Sequence, residues 1–480
     1  MFFSSFISLA LVAPSFVHAL SIPHPRSLEP GTHVPLARRG VNLAARWDGD
    51  ADMNVMFTMA NCTRVKYNYT DPADCSTMLP SGSTPQRRQN QGNANLTDFG
   101  QDVSYFASVS VGTPAQTFDV VMDTGSSDLW IETTECTNCP QGNAQLNTGQ
   151  SSSISTSSNS VSFSYGQGQA QGTMATDTVS LAGFTISSQT FGAVTQIFDN
   201  VVPNTASGIM GLAFQSLART GATPFWQALL NGNQLSNPEF SVYLARNQQR
   251  VSSSSSANDG GSITFGGRNT SLFQGDVEFQ NFPNGVGNAF WYQNVASLTV
   301  NGNSVGINSG LAAIDTGTTL LGGPSDSVSD FWGQVSGSQS IGQGMYSYPC
   351  STSLNVTISF GGRSYPINPN DLNFGRIGNG QCVGAIFSMG SSSGGSNPAW
   401  IVGDTFLKNV YSVFRANPAS VGFAELSDAA GGSSGTPGSG PAANPGTSRN
   451  TNQDANGAHS ISPSSIALMF LGLLGVYFSL

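Results

Sequence analysis

The sequence predicts an all-β protein of two similar lobes related by a pseudo-twofold axis, and three observations lead there. First, among 480 residues only 17 are Lys or Arg and 27 are Asp or Glu, a charged fraction of 9%. An ordinary soluble domain carries about 25%. Apolar residues, at 38%, do not fill the gap; 56 glycines and many uncharged polar residues do. Such a chain cannot rely on charge-laced helices, and it suits strands joined by Gly-bearing turns. Second, two segments repeat. Phe118-Asp-Val-Val-Met-Asp123-Thr124-Gly125-Ser126-Ser127 and Leu311-Ala-Ala-Ile-Asp315-Thr316-Gly317-Thr318-Thr319 both read as a buried strand entering a glycine turn, 315 − 123 = 192 residues apart. Third, each has an apolar-apolar-Gly partner at one distance. Ile209-Met210-Gly211 ends 211 − 125 = 86 residues after the first glycine, and Ile401-Val402-Gly403 ends 403 − 317 = 86 after the second. A single Asp-Thr-Gly is ordinary turn chemistry. Two copies behind apolar strands, each with its partner, mark a duplication.

Taken from the N-terminus, residues 1–19 read as a secretory signal. Phe6 to Phe16 is a short apolar run, and Val17-His18-Ala19 offers small residues for cleavage; a buried N-terminal strand is the alternative. Residues 20–88 read as a propeptide bounded by the dibasic pairs Arg38-Arg39 and Arg87-Arg88. The charge changes sign at the second pair. Residues 1–88 hold 8 basic and 6 acidic groups, or +2, whereas residues 89–480 hold 9 and 21, or −12. A basic leader on an acidic body suggests electrostatic docking. The duplication then divides the body into an N-terminal lobe, 89–275, and a C-terminal lobe, 276–428. Within the first, Ser162-Phe-Ser-Tyr165-Gly166-Gln167-Gly168 and Gln171 to Leu181 form a β-hairpin by pattern.

The tail is separate in composition. Residues 429–456 are a linker rich in Gly, Ser and Pro. Residues 457–480 read as a GPI-anchor signal removed in the mature protein: small residues Asn456-Gly457-Ala458, a polar spacer, and an apolar run from Ile466 to Leu480. The attachment residue is then Asn456. A plain C-terminal membrane anchor is the other reading, and either places the protein at a cell surface. Secretion agrees with five N-x-S/T sequons, at Asn61, Asn68, Asn95, Asn269 and Asn355, and with an even six cysteines. Proximity in sequence pairs Cys62 with Cys75, Cys136 with Cys139 and Cys350 with Cys382. The Cys136-Thr-Asn-Cys139 spacing also matches a redox motif, but no βαβ pattern surrounds it.

The composition excludes much chemistry. At net −10 the chain lacks the clustered Lys and Arg that phosphate contacts need, so no nucleic-acid partner is expected. The four histidines are His18, His24, His33 and His459, leaving residues 34–458 with none. That argues against a triad with an imidazole base and against most zinc sites; no metal or cofactor is expected. Acid–base chemistry falls to carboxylates. Each lobe supplies one Asp at a strand-to-turn junction facing the other. Two carboxylates held close share a proton. One can deprotonate a water aimed at a carbonyl carbon while the other donates to the developing oxyanion. The Ser or Thr after each glycine can hydrogen-bond the outer carboxylate oxygen.

With these residues in view, the sequence resembles the pepsin family of aspartic proteases, particularly secreted and surface-anchored fungal members, over about residues 100–427. Val111-Gly-Thr-Pro114, Asp123-Thr-Gly-Ser-Ser-Asp-Leu-Trp130, Asp315-Thr-Gly-Thr-Thr319, Phe240-Ser-Val-Tyr-Leu244 and Trp400-Ile-Val-Gly-Asp-Thr-Phe406 carry the match. The resemblance implies a bilobal acid-protease fold and endopeptidase activity at acid pH, with apolar residues flanking the cleaved bond. It implies Asp123 and Asp315 as the catalytic pair, supported by Ser126 and Thr318. Gly125 and Gly317 would line the cleft. The hairpin becomes a flap, in which Tyr165, paired with Trp130, closes over substrate with Gly166 and Gln167. Gln167 and Gln169 stand where relatives often carry Asp, Thr or Ser. Expected partners are protein or peptide substrates and the chain's own propeptide as inhibitor, the enzyme acting as a monomer held at a membrane by its lipid anchor. The family's propeptide often sets a Lys followed by Tyr on the catalytic carboxylates. Lys66-Tyr67 is the candidate pair, a solvent-exposed Lys being the alternative. The rival function is a non-catalytic surface-binding or cell-wall protein on the same scaffold. A two-carboxylate glycosidase finds no support in the duplicated motif.

Overall fold

A computed structural model describes residues 32–35, 37–38, 53–67, 69, 102, 104–165, 168–198, 206–246, 260–391 and 397–433. The signal segment, Asn68, Cys75, Asn95, Gly166, Gln167 and the whole anchor region including Asn456 lie outside them. Among the described residues no helix is long and apolar enough to cross a membrane. Strands dominate, in five sheets.

The duplication seen in the sequence is a duplication of strand pairing. Strand Gln116–Asp123 runs parallel to Gly208–Gly211, with Val121 opposite Ile209. Strand Leu129–Thr137 is antiparallel to Gly208–Gly211, with Leu129 opposite Met210. In the second half Ala313 lies opposite Ile401 in a parallel pair, and Leu321 opposite Val402 in an antiparallel pair. Every partner is displaced by the same interval, since 313 − 121, 401 − 209, 321 − 129 and 402 − 210 all equal 192. The unbroken apolar run before each Asp is explained by cover on both faces. Val120 and Met122 face the main core with Ile314 and Val402, while Val121 faces a second cluster with Trp130 and Phe163.

Two further arrangements position the site. In the N-terminal half an eight-stranded sheet ends in the hairpin Ser155–Tyr165 with Gly168–Leu181, Tyr165 opposite Gly168. Beneath the two halves, a six-stranded sheet takes strands from both: Thr32–Pro35, Gly261–Phe265, Glu239–Leu244, Val410–Ala416, Ala419–Leu426 and Phe273–Asn281, in that order. The expected lobe boundary at 275/276 falls inside its last strand, which pairs with Ala419–Leu426. The leader is woven into the body, which its composition did not reveal. Thr32–Pro35 pairs antiparallel with Gly261–Phe265, and Ala37–Arg38 pairs with Tyr105–Val111. Helix Met53–Lys66 packs on strand Ile386–Gly390 and touches the hairpin strand Ser155–Tyr165. Its Met56, Met59 and Ala60 recur at one-turn spacing and are buried with Met345, Phe387 and Met389.

Cys136–Cys139 and Cys350–Cys382 are disulfides, as proximity suggested. Cys62 is buried and disulfide-bonded. Of the sequon asparagines described, Asn355 is exposed and Asn269 partly so. Asn61 is engaged, donating to Gln343 at 3.0 Å.

Candidate active site

The two Asp-Thr-Gly turns meet face to face. Each threonine of the motif crosses to the other half. Thr124 Oγ1 donates to the Ile314 carbonyl at 2.8 Å and Thr316 Oγ1 to the Met122 carbonyl at 2.7 Å. Each hydroxyl also accepts from the opposite threonine's backbone N–H, at 3.1 and 2.9 Å. All four atoms are buried and all are satisfied, which fixes one turn against the other. Sequence reasoning missed this duty of Thr124 and Thr316; their identity at the 192-residue interval was the available signal.

The crossing brings Asp123 and Asp315 together, 2% and 0% exposed. Gly125 N–H donates to Asp123 Oδ1 at 2.8 Å and Gly317 N–H to Asp315 Oδ1 at 2.9 Å. Ser126 Oγ donates to Asp123 Oδ2 at 2.6 Å and Thr318 Oγ1 to Asp315 Oδ2 at 2.5 Å. The inner glycines are required by proximity. A Cβ on Gly125 would strike the Asp315 carboxyl, and one on Gly317 would strike that of Asp123.

Lys66 and Tyr67 lie on this pair, so the solvent-exposed alternative for Lys66 is excluded. Lys66 Nζ donates to Asp123 Oδ1 at 3.0 Å and to Asp315 Oδ2 at 2.8 Å. Tyr67 Oη donates to Asp315 Oδ2 at 2.8 Å, its ring against Phe290. The charges respond. Burial would lower the Lys66 ammonium, but the two carboxylates hold it up at about 12. Burial would raise Asp315; the Lys66 charge, with hydrogen bonds from Asp123, Lys66 and Thr318, holds it down at about 2. Asp123 goes the other way, pushed up by burial and by its carboxylate neighbour against the pull of Lys66. The two acids are thus driven in opposite directions, Asp315 giving up its proton more readily than Asp123.

Above the pair, Trp130 Nε1 donates to Tyr165 Oη at 2.8 Å, with the rings 6.3 Å apart and Phe163 stacked on the other contact of Trp130 at 6.5 Å. Burial, reinforced by Asp128 and Asp123, keeps the Tyr165 phenol neutral. The hairpin thus reaches the site through Tyr165 and Trp130. Asp404, within the second apolar-apolar-Gly segment's turn, is also fully buried, and burial keeps its carboxyl well above the usual carboxylate range.

Two acids on facing duplicated turns, under a hairpin and in a strand-rich bilobal chain, are the arrangement that an aspartic peptidase needs. Residues 104–426 match the family described as eukaryotic aspartyl protease, and the chain belongs to that family of peptide-bond hydrolases. It is 42% identical over 379 residues to the major aspartyl peptidase 1 of Cryptococcus neoformans, covering 75% of this chain and 77% of that protein. It is 34% identical to embryonic pepsinogen of Gallus gallus (66% and 79% covered) and 32% identical to an aspartic protease of Phaffia rhodozyma (70% and 79% covered). The chain is an aspartic endopeptidase; a non-catalytic scaffold role is not favoured.

Proposed function

We propose that Asp123 and Asp315 are the reacting pair and that residues 20–88 are a propeptide holding the enzyme inactive. The observation that carries both is the single ammonium of Lys66 bridging the two buried carboxylates. While it sits there, neither a water nor a peptide carbonyl can occupy the point between them. Once the leader departs, the pair retains one proton. The ionised carboxylate takes a proton from a bound water, whose oxygen attacks the scissile carbonyl carbon. The protonated partner donates to the carbonyl oxygen as it becomes tetrahedral. The resulting gem-diol collapses with proton transfer to the amine. Gly125 N–H, Gly317 N–H, Ser126 and Thr318 hold the carboxylates in orientation. Tyr165, with Gly166 and Gln167 at the hairpin tip, closes over an extended peptide lying along Gly125 and Gly317, with apolar residues flanking the cleaved bond.

Because the reacting state needs one proton on the pair, activity belongs at acid pH. The setting we propose is that of a secreted, glycosylated monomer, tethered at a membrane through Asn456; the sequons and the composition of the tail support this reading. Asp315→Asn is the decisive variant. It should lower kcat/KM on an acid-cleavable peptide by about 10³-fold or more, with secretion and thermal unfolding retained. Undiminished cleavage by that variant removes the assignment.

A further inference from the structure

The helix Met53–Lys66 makes a second buried polar contact with the body besides the one between the acids. Two residues before Lys66, the side chain of Arg64 turns into the C-terminal half and is 6% exposed. Its Nε donates to the main-chain oxygen of Ser388 at 2.8 Å. Its Nη2 donates to that same oxygen and to the main-chain oxygen of Gln343, and its Nη1 to Asn61 Oδ1 of the same helix. The guanidinium lies 5.2 Å from the centroid of the Phe387 ring. No carboxylate among the described residues raises its pKa; burial alone lowers it, to about 10. A cation buried without a counter-charge is costly unless its N–H groups are satisfied. Two carbonyl oxygens and an aromatic face do this here. The room for it is kept by Gly344, whose φ is +72° and whose Cβ, if it had one, would strike Arg64 Nη2 and the Ser388 oxygen.

Three of these features belong to the body: the carbonyls, the ring and the gap at Gly344. They persist when the helix goes. The recess is near the acids along the chain: Lys66, two residues after Arg64, reaches both of them, and the same helix touches the hairpin strand. We propose that this recess is a substrate subsite for a basic side chain, arginine above all, occupied by Arg64 until the leader leaves. The proposal rests on the endopeptidase reading above. Arginine fits better than lysine because its planar fork offers donors in several fixed directions to two fixed carbonyls. A neutral isostere keeps the shape but loses the charge-assisted bonds and the attraction to the ring. The −12 balance of residues 89–480 favours cationic peptides generally, so the discriminating quantity is preference at one position, not overall charge.

The test uses the processed enzyme and a set of peptides sharing one apolar cleavage site. Each flanking position in turn carries Arg, citrulline, Gln or Leu. At one position Arg should exceed citrulline in kcat/KM by about tenfold. Gly344→Asn, chosen because Asn tolerates left-handed backbone, should flatten that ratio. Phe387→Leu, which keeps an apolar side chain and removes the ring face, should reduce it, and it decides the matter where Gly344→Asn does not fold. Equal rates for Arg and citrulline at every position overturn the subsite and leave the peptidase reading standing. An Arg preference unaltered in both variants overturns it too, by placing the preference elsewhere. No cleavage of any peptide in the set overturns the peptidase reading itself.

Discussion

On the proposed propeptide role, the contact between Lys66 and the two acids makes inhibition depend on acidity through the carboxylates. Asp315 is held at about 2 against an ordinary 3.8. Its contribution to holding the leader is therefore complete above the ordinary value and is lost as pH falls through about 2. Lys66 is raised from 10.5 to about 12, so its share is complete below 10.5 and fades only in strong alkali; it cannot drive release in acid. The trigger lies with the carboxylates. Intact chain taken down from neutral pH should begin converting below about 4, followed by gel mobility and N-terminal sequencing. Lys66→Ala should move that onset to higher pH and raise residual activity at pH 7 by about tenfold. A variant as tightly inhibited as the parent at pH 7 would exclude the role. The acids themselves were legible in the sequence, because the same motif occurs twice at one interval. The crossed duty of Thr124 and Thr316 was not, since a hydroxyl beside an Asp reveals its partner only when the second turn is placed opposite. Arg64 was silent for a related reason: its partners are carbonyls, which every residue type possesses.

The crossed threonines are the element-scale counterpart, joining two strand-turn units by four hydrogen bonds in a sealed environment. Thr124→Val leaves the Thr316 backbone N–H without its acceptor and removes one donor. The expected loss is about 1–3 kcal/mol in urea unfolding. Thr316→Val should cost a similar amount, and the double variant less than the sum, because both strip one network. The helix Met53–Lys66 follows a different design. It has no acid in its first turn, and Arg64 and Lys66 in its last, where they suit the carbonyl end. Its Met56 and Met59 are buried in one cluster with Met345 and Met389, flexible side chains that adapt in shape and so suit an element that the proposed processing removes. Its sequence hardly announces a helix; tertiary contact with strand Ile386–Gly390 makes it one.

At the scale of the molecule, the halves are joined by a buried ionic cluster beside the six-stranded sheet. Arg246 meets Asp371 at 2.8 Å, Lys408 meets Asp371 at 2.8 Å and Asp102 at 3.5 Å, and Asn409 donates to Asp371 at 3.0 Å. Burial would raise Asp371, but Lys408 and Arg246 hold it below its ordinary value. Its stabilising share is thus present above 3.8 and is lost only as pH drops through that lowered value, which keeps the joint ionised in mild acid. Asp371→Ala, which removes the carboxylate that Arg246 and Lys408 share, should cost about 3–5 kcal/mol by thermal unfolding. The low count of basic groups in the body works in the same direction, since little positive charge accumulates as pH falls.

The strands that the leader lends to two sheets carry a consequence for the life history of the chain. The body folds with Thr32–Pro35 completing Gly261–Phe265 and Ala37–Arg38 beside Tyr105–Val111. On the proposed removal of residues 20–88, these strands leave two sheets that they help to complete. In that reading the processed chain is expected to rely on the height of its unfolding barrier rather than on a ready return path. Diluted from urea, the full-length chain should recover its native spectrum in higher yield than the processed chain. A chain processed in this way would have a clock built into it, since it could be unfolded only once.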